Sequence, residues 1–123
     1  MARLTRALVV VALLTSALAL SSCGGSGAVA QARAACRDVA RAVATQRRSQ
    51  APGLSTDRRD QLENLALAQL LKATPAAAAA TSIDGSWNAL MTTINEAERV
   101  PLANLIPALT RLCAVANSST PYL

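Results

Sequence analysis

Apolar residues that recur at alternating steps of three and four place the strongest constraint on the fold of this 123-residue chain. Such steps keep side chains on one face of an α-helix. Four segments between residues 28 and 117 show the pattern, and turn-forming Pro and Gly residues separate them. Ala and Leu are abundant, Phe is absent, and Trp and Tyr occur once each, which favours helices over sheets. The sequence therefore predicts an all-α fold, a small antiparallel bundle of about four helices.

The turn residues bound the predicted helices. The first covers about residues 28–48 and the third about residues 86–99, and the last runs from 105 or 106 to 117. The second helix follows a cap at Ser55 or Thr56 and has Ala73 as the last residue of its core face. Thr74-Pro75 interrupts the second helix, by a kink or by ending it, and Thr74 can cap a short helix that reaches Ala80. Residues 81–85 are expected to form a turn and residues 118–123 a tail. The predicted core faces are Val29, Ala32, Cys36, Val39 and Val43; Leu62, Leu65, Ala66, Leu70 and Ala73; Trp87, Leu90, Met91, Ile94 and Ala97; and Leu102, Leu105, Leu109, Leu112 and Ala116.

The N-terminal segment has the organisation of an export signal. Arg3 and Arg6 precede an apolar run at residues 7–20, which is shorter than the roughly 20 residues that a spanning helix needs. This run ends in Leu20-Ser21-Ser22-Cys23, which resembles the lipobox of bacterial lipoproteins. The resemblance implies that residues 1–22 are removed and that Cys23 receives a diacylglyceryl group, which anchors the chain to the outer face of the cytoplasmic membrane. Residues 23–27 would then be a flexible tether and residues 28–117 the folded domain. The alternative is cleavage after Ala19, which gives a soluble secreted helical protein.

Two cysteines remain if Cys23 is lipidated. Cys36 and Cys113 form an even pair in an oxidising compartment, which predicts a disulfide, and an up-down-up-down bundle places both at the same end. The alternative is two buried thiols that do not meet. A metal site is not expected, because the chain has no His and the pair supplies only two thiols.

Catalytic and nucleic-acid-binding functions lack their usual residues. The chain has no His for general-base chemistry, no Ser in a nucleophile-elbow context and no Gly-rich phosphate loop after a strand. We therefore expect no enzyme activity and no cofactor. After Arg3 and Arg6 are set aside, ten basic and seven acidic residues leave a net charge of +3, and the aromatic and basic clustering typical of nucleic-acid binding is missing.

Three surfaces could still bind a partner. The first is an arginine strip on the first helix, either a solvated face or, if that helix lies along the membrane, a contact with anionic headgroups: Arg33, Arg37, Arg41 and Arg48. Leu67 and Leu71 either pack beneath residues 75–80 or form an exposed apolar pair for an envelope protein. Trp87 and Met91 either belong to the core or line a cavity for a small apolar ligand. These features predict a lipid-anchored, non-catalytic interaction or structural module, with a ligand carrier as the alternative.

Overall fold

The structure, a computed structural model, describes residues 25–121, and these form a small all-α bundle. Five α-helices and one short 3₁₀ helix follow one another along the chain: α1 Gly25–Ser49, α2 Thr56–Leu71, α3 Thr74–Ile83, the 3₁₀ helix Gly85–Trp87, α4 Asn88–Glu96 and α5 Leu102–Asn117. Since α2 and α3 run end to end and the 3₁₀ helix leads directly into α4, the helices make four antiparallel segments. The predicted fold class is confirmed.

Two long-range contacts and one groove fix the directions of the helices. Ile83, at the end of α3, lies against Gly27 at the start of α1, so α2 and α3 run back along the whole of α1. The start of α5 shares a groove with Gln46, whereas its end lies beside Arg33. Helix α5 is therefore antiparallel to α1. Helix α4 leads from the end of the bundle where α3 ends to the opposite end, where α5 begins. Helix α1 packs against α2, α3 and α5, while α4 packs against α3 and α5.

Helix α1 packs closely against the α2–α3 segment through alanine side chains. Eight alanines of these helices and the turn between them are fully buried: Ala28, Ala32, Ala35, Ala42, Ala66, Ala73, Ala77 and Ala80. Because Ala ends at its Cβ, helices that meet through Ala can approach closely and still exclude water. Larger side chains fill the remainder of the core, and most of them come from α4 and α5: Leu70, Trp87, Leu90, Ile94 and Leu109.

The break between α2 and α3 is a true helix end. Helix α2 is capped by the Ser55 hydroxyl, which accepts a hydrogen bond from the Arg58 backbone N–H, and it ends at Leu71 rather than near residue 73. Helix α3 then begins at Thr74, so the predicted Thr74 cap is wrong by one residue. The capping position belongs to Ala73, which makes no side-chain cap, and Pro75 lies in the first turn, where its missing N–H has no partner to lose.

Several predicted boundaries were also wrong. Helix α1 includes Gly25–Gly27 of the predicted tether. Helix α3 continues to Ile83, and within it the Thr81 and Ser82 hydroxyls donate to the carbonyls of Ala77 and Ala78. Helix α4 ends at Glu96, before a turn at residues 97–99. Helix α5 already begins at Leu102 and accommodates Pro107 internally.

The predicted core faces are mostly confirmed, with one clear exception. Leu65 was expected in the core, but 47% of its surface is exposed. Helix α2 packs mainly against α1, so its buried stripe is narrow and comprises only Leu62, Ala66 and Leu70. Val29, Met91 and Leu105 pack against the core while remaining half-buried.

Candidate functional site

One end of the bundle lies next to the predicted lipidation site. Cys23 lies outside the described residues, but only Gly24 separates it from Gly25, the first described residue of α1. Two extended residues span at most about 7 Å. The start of α1 and the elements around it, here called the anchor end, must therefore stay close to Cys23.

The anchor end carries an exposed aliphatic side chain at the α3–α4 turn. A Cβ placed on Gly27 would stand 3.8 Å from Ile83 Cδ1, so the Ile83 side chain covers the first turn of α1. Ile83 nevertheless remains 52% exposed, and only one other large hydrophobic residue in residues 27–121, Leu65, is classed as exposed. Ile83 was not predicted as a surface feature, because residues 81–85 were expected to form a turn and a turn residue has no helix face.

Asp84 organises the turn that presents Ile83. Its carboxylate Oδ1 accepts a hydrogen bond from the Ser86 backbone N–H at 2.9 Å and thereby caps the 3₁₀ helix. The Ser86 backbone and side-chain hydrogen bonds lower the pKa of Asp84 below its ordinary value, because they favour the ionised carboxylate. The turn is therefore held by a charge at neutral pH.

Arg33, the first member of the predicted arginine strip, has a structural role at the same end. Its Nε donates to the carbonyl of Ala116 at 2.7 Å, and its second guanidinium nitrogen donates to the carbonyl of Ser118 at 3.1 Å. These carbonyls belong to the last turn of α5 and its cap, where helix carbonyls lack partners and where a positive charge is favourable. The sequence predicted that Arg33 is exposed, but not that it fastens α1 to α5.

The other members of the strip remain on the outer surface of α1. Arg37, Arg41 and Arg48 are exposed on the side of the helix opposite the buried alanines. Arg41 forms an exposed ion pair with Asp38 at 3.2 Å, which partly neutralises the middle of the strip. Arg47, which the prediction left out, is also exposed near the end of α1 and extends this basic surface.

The predicted disulfide joins α1 to α5. Cys36 and Cys113 are bonded, with their Cα atoms 5.5 Å apart and 77 residues between them in sequence. Cys36 is buried and lies near the middle of α1, because the helix begins earlier than predicted. Together with the Arg33 hydrogen bonds, the bridge fixes the position of α5 along the first half of α1.

A groove of about 380 Å³ lies at the opposite end, between α2 and the α4–α5 turn. Gln46 contributes to its wall although it is only 5% exposed, and the Gln46 amide donates to the Ser49 hydroxyl. Apolar, polar and charged residues form the remainder of the lining: Glu63, Asn64, Leu67, Ala97, Glu98, Arg99, Val100, Pro101, Leu102 and Ala103. Trp87 is 1% exposed and belongs to the core, and neither it nor Met91 lines this groove.

Leu67 and Leu71 do not form an open apolar patch. Both are half-buried, and Leu67 packs against the core and contributes to the groove wall. A partner contact through this pair stays a prediction.

Neither a metal centre nor a membrane span is present in the part of the chain that the structure describes. No group of three or more His, Cys, Asp or Glu side chains in residues 25–121 is arranged to hold a metal ion. No helix in the same range combines the length and the hydropathy that crossing a bilayer requires. No family model matches the chain, and neither the curated proteins nor the solved structures contain a match to it.

Proposed function

We propose that this chain is an exported lipoprotein, held on the outer face of the cytoplasmic membrane through a lipid on Cys23. The folded domain then acts there as a non-catalytic interaction or structural module. A partner in the cell envelope would bind the surfaces of the bundle that face away from the membrane.

The Cys36–Cys113 disulfide is the observation that carries the proposal. Disulfides persist in exported compartments and are rare in reducing ones. The bridge uses two of the three cysteines, so Cys23 is the one cysteine left over, and it stands at the end of the lipobox-like sequence. The anchor end also supports the proposal, since helix α1 already includes Gly25, two residues after Cys23.

Membrane fractionation of a bacterial host tests the anchor. The wild-type chain should sediment with membranes and require detergent for release. Cys23→Ala should release the chain or leave it unprocessed, because no thiol remains to carry the lipid. Ser26→Ala, three residues further on, serves as the matched control and should behave as wild type. Equal membrane retention of Cys23→Ala and wild type, both with residues 1–22 removed, would contradict the proposal.

The groove favours small-ligand binding as a second candidate function. Its volume is within the range of small-molecule sites, and apolar side chains lie beside a buried amide. Charged residues at its edge, among them Glu63, Glu98 and Arg99, favour an amphipathic ligand over a purely apolar one. Mass spectrometry of the native protein released from membranes would reveal such a ligand. Leu67→Arg should abolish retention of the ligand, whereas Leu65→Arg, on the exposed side of α2, should leave it unchanged.

A further inference from the structure

We propose that the anchor end of the bundle rests in the lipid headgroup region, with the Ile83 side chain in contact with lipid. The contacting surface consists of the first turn of α1 and the α3–α4 turn at residues 83–85. This inference rests on the proposed lipidation of Cys23 and adds an orientation to it: the long axis of the bundle stands away from the membrane.

The length of the connection supports this orientation. At most about 7 Å separates the Cα atoms of Cys23 and Gly25. The headgroup layer of one leaflet is itself about 5–7 Å thick, by the difference between total bilayer thickness and hydrocarbon thickness. A Cys23 whose acyl chains are inserted therefore holds the first turn of α1 at the membrane surface. Ile83 lies directly on this turn, since its Cδ1 is 3.8 Å from the Cβ position of Gly27.

The distribution of exposed hydrophobic side chains favours the same surface. Ile83 and Leu65 are the two large hydrophobic residues classed as exposed in residues 27–121. Ile83 lies at the anchor end, whereas Leu65 lies in α2, beside the distal half of α1. A membrane surface at the anchor end would cover Ile83 and leave Leu65 in water.

The charges at the anchor end indicate an apolar contact instead of an electrostatic one. Arg33 is bound to the carbonyls of Ala116 and Ser118, and the Asp84 carboxylate beside Ile83 is bound to the Ser86 N–H. These two groups carry opposite charges, and both are already hydrogen-bonded within the fold. Docking through this end should therefore respond weakly to salt and to anionic lipid.

This orientation places Arg41 and Arg48, the far members of the arginine strip, outside most of the membrane field. At 1.5 Å per residue, Arg41 stands about 24 Å and Arg48 about 35 Å along α1 from Gly25. Electrostatic attraction fades beyond a Debye length of about 8–10 Å.

The test uses the mature, lipidated full chain in vesicles of phosphatidylcholine, with and without phosphatidylglycerol. A thiol-reactive fluorophore is attached to Ile83→Cys, Leu65→Cys or Arg48→Cys, with the native disulfide kept oxidised, and lipids carrying a headgroup nitroxide act as quenchers. We expect at least threefold stronger quenching at position 83 than at 65 or 48, with the same values in both vesicle types and at high salt. Quenching at 48 without quenching at 83, or none at any position, would overturn the proposal.

A second set of variants separates the Ile83 contact from the label. With the fluorophore on Ser86→Cys, adding Ile83→Ser should reduce quenching at least twofold, whereas adding Leu65→Ser should leave it unchanged. Equal quenching in all three proteins would show that Ile83 makes no contact. Intact-mass measurement precedes both experiments: lipid present without quenching overturns the docking alone, whereas an unlipidated Cys23 overturns the proposed function and the docking with it.

Discussion

Loss of the Cys36–Cys113 disulfide should remove a large part of the stability of this domain. The bridge closes a loop of 77 residues, and the chain-entropy model gives about 4.5 kcal/mol at 25 °C for a loop of this length. A domain of about 100 residues has a total free energy of unfolding of about 5–15 kcal/mol. The reduced protein should therefore retain only a small free energy of unfolding, and its melting temperature should fall by about 20 °C.

The measurement compares three proteins, each prepared without lipid and beginning at Gly24. These are the oxidised wild type, the reduced wild type and the Cys36→Ala/Cys113→Ala variant, unfolded by urea and by heat with circular dichroism as the readout. The difference between the two wild-type states isolates the covalent bond, because both keep the same side chains. The double variant adds the effect of losing the buried sulfur of Cys36.

A small difference in the free energy of unfolding between the oxidised and the reduced wild type would refute this reasoning. If oxidised and reduced wild type unfold within about 1 kcal/mol of each other with the same urea dependence, the bridge does not restrain the unfolded chain as calculated. Circular dichroism of the reduced protein must also show native helix content before heating. A reduced protein that is already unfolded at 25 °C would place the contribution above the calculated value.

Three further predictions concern contacts elsewhere in the bundle. Arg33→Gln should lower the free energy of unfolding by about 1–2 kcal/mol in urea titrations, because two charge-assisted bonds to the end of α5 are lost. The control Arg37→Gln, at an exposed site, should lower it by less than about 0.5 kcal/mol, and equal losses would contradict the role of Arg33. Ala77→Leu should destabilise by about 1–3 kcal/mol through overpacking against α1, whereas Ala68→Leu at an exposed site of α2 should be nearly neutral in the same assay. Asp84→Asn should lower the free energy of unfolding above about pH 4, where the wild-type carboxylate is ionised. The difference between variant and wild type should vanish as the pH falls through the lowered pKa of Asp84. A constant difference between pH 2 and 6 would show that the carboxylate charge is irrelevant.

Much of the fold could be predicted because local spacing determines it. The three-and-four repeat of α1 identified a face containing Ala32, Cys36 and Val39, and all three are buried. The cysteine count and the antiparallel topology paired Cys36 with Cys113, although Cys36 lies near the middle of α1 instead of at its start. The observed bond confirms that reasoning.

Features that depend on neighbouring helices could not be predicted in this way. Leu65 has a helical spacing consistent with burial, but the position of α2 on α1 leaves no helix to cover it. The bond from Arg33 to Ala116 spans 83 residues of sequence and requires the exact end of α5. Helix boundaries failed for a similar reason: packing against Ile83 supports the first turn of α1, although Gly25 and Gly27 have low helix propensity.

The proposed function was accessible to sequence reasoning, whereas its geometry was not. The residues before Cys23 suggest a lipid anchor through their resemblance to a lipobox, and the cysteine count suggests an oxidising compartment. The exposed Ile83 and the separation of the groove from the anchor end emerge only when α3 and α5 are placed beside α1. From these placements we infer how the bundle is oriented on the membrane, whereas the sequence alone predicts only that it is anchored there.

The intact mass of the mature protein extracted from bacterial membranes tests the central claim most directly. The account predicts a chain that begins at Cys23, carries a diacylglyceryl group on that residue and is two hydrogens lighter than its reduced form because of the Cys36–Cys113 bond. A chain that begins at Leu20 and carries no lipid would contradict the account, since it would be a soluble secreted protein.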